Sequence, residues 1–245
     1  MNFIKNNKVQ FVNLGLIGYK DAWEYQTSLF DRTLAIKTRN RSLSEDRQQI
    51  TDNHLLFCEH PHVFTLGKSG KENNLLVDQA ALSAIEATYH RINRGGDITY
   101  HGPGQVVGYP ILDLENFFTD IHKYMRYLEQ VIIETLGEFS IEAGRIKGLT
   151  GVWLDIDSPL KARKICAFGV RASRWVTMHG FALNVNTDLQ YFGHIVPCGI
   201  NDKAVTSINK ELGKFVQLPL VEEILKDKFV KVFEVALEAL IREKA

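Results

Sequence analysis

Three short stretches carry side chains whose types and spacing could do covalent chemistry. Cys198 lies in His194-Ile195-Val196-Pro197-Cys198-Gly199-Ile200, where the proline before it and the glycine after it suit a fixed, exposed nucleophile. A structural cysteine in a loop is the plain alternative. Cys166 falls within an apolar strand and reads as core, as does Cys58. Lys164 opens Lys164-Ile165-Cys166-Ala167-Phe168-Gly169-Val170, and strict alternation places it on one face with Cys166, Phe168 and Val170. An ammonium on such a face loses hydration and is drawn toward its neutral form. A neutral amine near a thiol can take the thiol's proton, or the resulting ammonium can hold the thiolate, the pair titrating as a unit. The ordinary alternative is a strand-opening lysine whose head reaches water. His179, in Met178-His179-Gly180-Phe181-Ala182-Leu183-Asn184, suits orienting a thioester or assisting proton transfer, and equally suits a hydrogen-bonded strand histidine. Gly180 and Ala182 leave room beside that strand for something narrow, such as an acyl chain.

These groups must be positioned, and the stretch from Arg94 to Gln105 reads as what the chain is arranged around. Its glycines permit sharp turns and close approach to a ligand, while Arg94, Thr99, Tyr100, His101 and Gln105 crowd donors and acceptors together. The apolar run Val106 to Leu114 follows as a strand, with Pro110 suggesting an edge or a bulge. Upstream, Leu55 to Leu66 is β-like. Alternation would put Cys58, His60 and His62 on one face at a spacing that could bind a metal, but the plainer reading is a strand edge broken by Pro61, and no metal is expected. Gly67-Lys68-Ser69-Gly70 invites a phosphate-loop reading and lacks that motif's residue order.

Around these, Val9 to Leu14 predicts a strand and Asp21 to Lys37 an amphipathic helix. The polar stretch Arg39 to Asn53 is given no function. Asp78 to Glu86 predicts a short helix and Thr88 to Asn93 a strand. Asp120 to Leu136 predicts a helix with a core stripe of Ile121, Met125, Leu128, Ile132 and Leu136, stopped by Gly137. Gly151 to Asp155, Lys164 to Arg171 and Val176 to Asn186 are β-like, and Thr187 to Asp202 is irregular. A final helix runs from Pro219 to about Ile241, with Leu237 and Leu240 in its stripe. Strands in pairs among few helices predict one α+β domain over 1–245 with a mixed or mostly antiparallel sheet. Lys plus Arg equals Asp plus Glu at 29 each, which argues against a nucleic-acid binder. No apolar run spans a membrane, and three scattered cysteines fit a reducing cytoplasm better than a disulfide framework.

Taken in order, Arg94 to Gln105, Lys164-Ile165, His179 to Asn184 and Pro197-Cys198-Gly199 resemble the lipoyl(octanoyl) transferase family, as does Glu59 to Gly67. The resemblance implies the α/β fold of the biotin and lipoate protein ligases, with a larger and a smaller sheet. It implies that Cys198 takes an octanoyl group from octanoyl-acyl carrier protein as a thioester. The group then passes to a lysine of a lipoyl domain, on a 2-oxoacid dehydrogenase subunit or the glycine cleavage H protein, in the first step of protein lipoylation. Lys164 would lower the thiol pKa and move protons. Arg94, Gly95, Gly96, Asp97, Ile98, Thr99, Tyr100 and His101, with Ala167, Phe168, Gly169, His179, Gly180, Phe181 and Ala182, would line the octanoyl site. Backbone N–H groups of the glycine-rich segments would stabilise the carbonyl oxygen. No cofactor is implied. An ATP-dependent lipoate or biotin ligase on the same fold, which would not need Cys198, and a non-catalytic module binding acyl carrier or lipoyl domains are the alternatives.

Overall fold

A computed structural model of the chain describes residues 6–196 and 204–239. In chain order its elements are β1 (Lys8–Leu16), α1 (Tyr19–Asn40), β2 (His54–Glu59), β3 (Val63–Leu66), α2 (Gln79–Ala84), β4 (Thr88–Arg91), β5 (Ile98–His101) and β6 (Gln105–Ile111). There follow α3 (Ile121–Gly137), β7 (Gly144–Ile146), β8 (Leu149–Leu154), β9 (Arg163–Ser173), β10 (Val176–Asn184), β11 (Ala204–Val205), α4 (Ile208–Leu212), α5 (Leu218–Phe233) and β12 (Ala236–Ala239).

The large sheet runs β12-β1-β2-β6-β10-β9-β8-β7, with β11 beside β9, and the small one runs β4-β3-β5. The β12-β1-β2 edge is parallel and the rest of the main path antiparallel, so the sheet is mixed, as predicted. Period-two alternation sorts the central strands between two cores. Leu55, Phe57, Val106 and Leu183 join the core under α3 and α5, while Leu56, Cys58, Val107 and Ala182 join the core under α1. The β9–β10 hairpin turns on Arg174 and Trp175, both at positive φ (49° and 67°), the backbone that a two-residue hairpin in a right-twisted sheet favours.

Four sequence expectations change here. Leu55 to Leu66 is two strands in two sheets. The Arg94–Gln105 stretch contains β5, a strand of the small sheet. Helix α3 includes Gly137, and the left-handed residue after it is Ser140, at φ 57°. Helix α5 ends at Phe233, with Glu234 at φ 55°, and the chain then pairs with the otherwise open edge of β1, setting Leu237 opposite Val9. Helical spacing in a short apolar segment cannot weigh that tertiary edge. Leu240, the other expected stripe residue, lies outside the described residues.

Part of the Arg39–Asn53 stretch is structural. Asp113, buried, accepts from Lys37 and from Thr51 Oγ1 (2.8 Å), and Asn53 Oδ1 accepts from the Asp113 N–H (3.0 Å). Without Asp113, Thr51 loses its acceptor and the largely buried Lys37 keeps, among the described residues, only the exposed Glu115 carboxylate at 2.9 Å. Asp113→Ala is therefore expected to cost about 3 kcal/mol in urea unfolding. Glu238→Ala, which breaks an exposed pair with Lys8, should cost less than about 1 kcal/mol. Equal losses would contradict this assignment.

Candidate active site

The loop at the seam between the two sheets is anchored by the buried side chain of Arg94. Its Nη2 donates to Thr65 O (2.7 Å) and Thr65 Oγ1 (3.1 Å) in β3, and its Nη1 to Gly95 O (3.0 Å). The Gly95 N–H donates to Val170 O of β9 (2.9 Å), so the loop is stitched to the large sheet as well. Glycine is required on both sides. A Cβ on Gly169 would lie 2.7 Å from Arg94 Cδ, and one on Gly67 would lie 2.3 Å from Gly96 O. The amides of Gly67, Lys68 and Ser69 donate to the carbonyls of Asp97, Arg94 and Gly96, so Gly67-Lys68-Ser69-Gly70 buttresses this loop instead of cradling a phosphate.

At the seam lies a cavity of about 580 Å³, within the range of small-molecule sites. Arg94 to Thr99 and His101, Ala167 to Gly169, and His179 to Ala182 all line it, as does Lys164. Tyr100 does not. It lies on the face of β5 opposite Thr99 and His101, with its hydroxyl 2.7 Å from His62 Nδ1 and its ring stacked on Tyr191. Sequence reasoning missed Tyr19, Tyr109, Trp153 and Phe192, while Ile121 and Met125, expected in the core, pack against it and also line the cavity. The Met125 and Ile121 positions at the start of the α3 stripe were the available signal. The rest meet only through the fold.

Lys164 reaches the cavity because the β8–β9 register shifts. Val152 pairs with Cys166, whereas the next residue, Trp153, pairs with Lys164, leaving Ile165 as the extra residue of a bulge. Cross-strand partners share a face. Cys166 accordingly joins Val152 in the core, and Lys164 joins Trp153 at the cavity. The expected shared face of Lys164 and Cys166 is thus corrected: the bulge separates them.

His179 is aimed by a second irregularity. Continuing the β6–β10 register places it opposite Pro110, which has no N–H to give. His179 adopts φ 59°, and its N–H donates to Gln26 Oε1 of α1 (3.1 Å). Pro110 therefore sits in an interior strand and not at the expected edge, and the N–H it lacks is what turns the histidine. Its Nε2 lies 2.9 Å from Asn93 Oδ1, and its buried Nδ1 has no partner among the described residues. The small residues expected to make space serve the backbone in part: a Cβ on Gly180 would lie 2.1 Å from Gly108 O.

The tautomer of His101 follows from a chain anchored on a backbone carbonyl. Asn184 Nδ2 donates to Thr206 O (3.0 Å), Gln105 Nε2 donates to Asn184 Oδ1 (2.9 Å), and Gln105 Oε1 accepts from His101 Nδ1 (2.8 Å). His101 Nε2 keeps its lone pair. His60 Nδ1 donates to Ile17 O (2.8 Å) and its Nε2 accepts from Tyr109 OH (2.7 Å). His62 turns to Tyr100 instead, so the Cys58–His60–His62 face is broken at Pro61. Among the described residues no cluster of His, Cys, Asp or Glu could hold a metal. Two expected oxyanion donors are also occupied, since the Gly95 amide bonds Val170 O and the Gly104 amide bonds Glu59 Oε2. Cys198 lies outside the described residues.

Two unequal sheets with a ligand-sized cavity at their seam, flanked by helices, are the lipoate/biotin ligase-like fold that comparison with known structures returns. A family profile described as "Lipoyl protein ligase A/B catalytic domain" matches residues 19–230. An octanoyltransferase of Cytophaga hutchinsonii is 61% identical over 233 residues, covering 95% of this chain and 96% of that one. An octanoyltransferase of Bacteroides thetaiotaomicron is 50% identical over 219 residues, covering 89% and 92%. Among solved structures, a bi-partite lipoate protein ligase of Thermoplasma acidophilum superposes with a TM-score of 0.67 at 17% identity, over 97% of this chain and 88% of that one, a likeness of fold. The chain belongs to the lipoyl protein ligase A/B catalytic domain family, and within it groups with the octanoyltransferases.

His101 and His179 of the cavity wall, and His60 beside His101, are held neutral. Burial pulls His101 and His179 down to about 3, with the competing imidazole of His60 adding at His101 and the charge of Arg94 at His179, and burial pulls His60 to about 4. In the unfolded chain each takes a proton near 6.5, so between these values the unfolded state binds more protons. Their contribution to stability is intact above about pH 7 and falls as pH drops from 6.5 toward 4, by up to about 1.4 kcal/mol per pH unit for each histidine. Urea unfolding at pH 7.5, 6 and 5 should show this slope before carboxylates titrate, and His101→Gln should lessen it without abolishing it. A level profile would contradict the assignment.

Proposed function

We propose that the chain transfers an octanoyl group from octanoyl-acyl carrier protein to a specific lysine of a lipoyl domain through a thioester on Cys198. The acceptors are lipoyl domains of 2-oxoacid dehydrogenase subunits and the glycine cleavage H protein, and this is the first step of protein lipoylation. The whole chain acts as one catalytic domain in the cytoplasm, and among the described residues no helix is long and apolar enough to cross a membrane. The observation that carries the reading is the identity to octanoyltransferases, at 61% over 95% of the chain.

The described thiols agree with that assignment. Cys58 and Cys166 are sealed in the cores, and burial pushes both thiols well above their ordinary range, so neither is ready to attack. Of the three cysteines this leaves Cys198. Its thiolate attacks the octanoyl carbonyl, the new C–S bond forms and the carrier's thiolate leaves. The acceptor amine then attacks the same carbonyl, loses a proton as the amide forms, and the Cys198 thiolate departs. Lys164 exchanges protons with the thiol and the amine. Exchange between thioesters is nearly balanced and amide formation runs downhill, so the sequence of steps needs no ATP.

Intact mass after mixing with octanoyl-acyl carrier protein is expected to show one octanoyl adduct, absent in Cys198→Ala. Lys164→Ala should slow its formation by about 10²- to 10⁴-fold. An adduct persisting in Cys198→Ala on Cys58 or Cys166 would overturn the assignment. Adenylate formed from ATP and free octanoate would favour the ligase reading.

A further inference from the structure

We propose that Trp153 is a positioning residue for the Lys164 amine, its indole face holding the ammonium against the cavity wall; this rests on the acyl-transfer reading above. Lys164 Nζ lies 4.6 Å from the centre of the Trp153 ring. An aromatic face attracts a cation at that range, tryptophan more strongly than tyrosine or phenylalanine. Trp153 is 1% exposed and Lys164 half-buried, so the contact sits at the wall of the cavity and not on the outer surface.

Three further features are built around this contact. The bulge at Ile165 brings Trp153 and Lys164 into cross-strand register on the cavity side. Gly151, at φ 137°, clears the way for both, since a Cβ there would lie 3.1 Å from Lys164 Cε and 3.1 Å from Trp153 Nε1. Trp153 Nε1 is buried with no hydrogen-bond partner among the described residues. An indole whose N–H is left unsatisfied is a poor choice for filling space, where leucine or phenylalanine would bury as well. The ring's electron-rich face supplies the reason for it. A four-carbon stem with three rotatable donors has many conformations to lose, and the ring reduces them to those that keep Nζ at this part of the cavity wall.

A double-mutant cycle separates this role from cavity lining. Trp153→Leu is expected to slow acyl-enzyme formation about tenfold at saturating octanoyl-acyl carrier protein, with KM changed less than about threefold, and Trp153→Tyr and Trp153→Phe should fall between. In a Lys164→Ala background Trp153→Leu should cost nothing further. An equal loss in both backgrounds would overturn the proposal while leaving the acyl-transfer reading standing, because that reading fails instead on the Cys198→Ala adduct. An activity-independent measurement uses protein carrying carbon-13 lysine. The Lys164 ε-CH2 resonance should lie upfield from the indole ring current and return toward the ordinary lysine position in Trp153→Leu and Trp153→Phe, in that order of magnitude. An ordinary shift in the unsubstituted protein would refute the placement whatever the enzyme's activity.

Discussion

The buried guanidinium of Arg94 is the interaction on which the site depends. It reaches into β3 of the small sheet through Thr65 while its own loop is hydrogen-bonded to Val170 of the large sheet. A charge taken out of water is costly unless several acceptors meet it, and carbonyl oxygens of the chain do so here. Those acceptors fix the loop on β3, and the Gly95 N–H bond to Val170 O then fixes the same loop on the large sheet. The cavity lies beside this junction. The same positive charge also helps keep His179 uncharged, so one buried cation sets both the shape and the electrostatics of that wall.

Two local failures of regular pairing aim the remaining groups. One extra residue in β9 turns Lys164 away from the core where Cys166 sits, and one missing N–H in β6 turns His179 out of its ladder toward Gln26. Neither would survive without support. Gly151 makes room for the first, and α1 supplies a buried acceptor for the second. Irregularity at a site is thus sustained by residues that never meet the ligand.

Much of the fold was legible. The central strands, α1 and α3 follow from periodicity, and the glycine-rich stretch identifies where the backbone must approach closely. The C-terminal strand was not legible, because Ala236 to Ala239 take their conformation from an open edge on β1 that helical spacing cannot see. Met125 and Ile121 read as core because an apolar stripe records which face avoids water, and a cavity wall avoids it as a core does. Tyr100 read as lining because a contiguous motif hides the alternation that a strand imposes on it.

By itself the sequence determined the chemistry available: which thiols, amine and imidazoles exist, which segments carry glycine where a Cβ would collide, and which family the chain resembles. Only the tertiary structure decided which of those groups face one another. The face of a side chain depends on strand register, and register is set by partners distant along the chain. A single unpaired residue at Ile165, invisible in the string of letters, therefore decides whether Lys164 meets the core or the cavity.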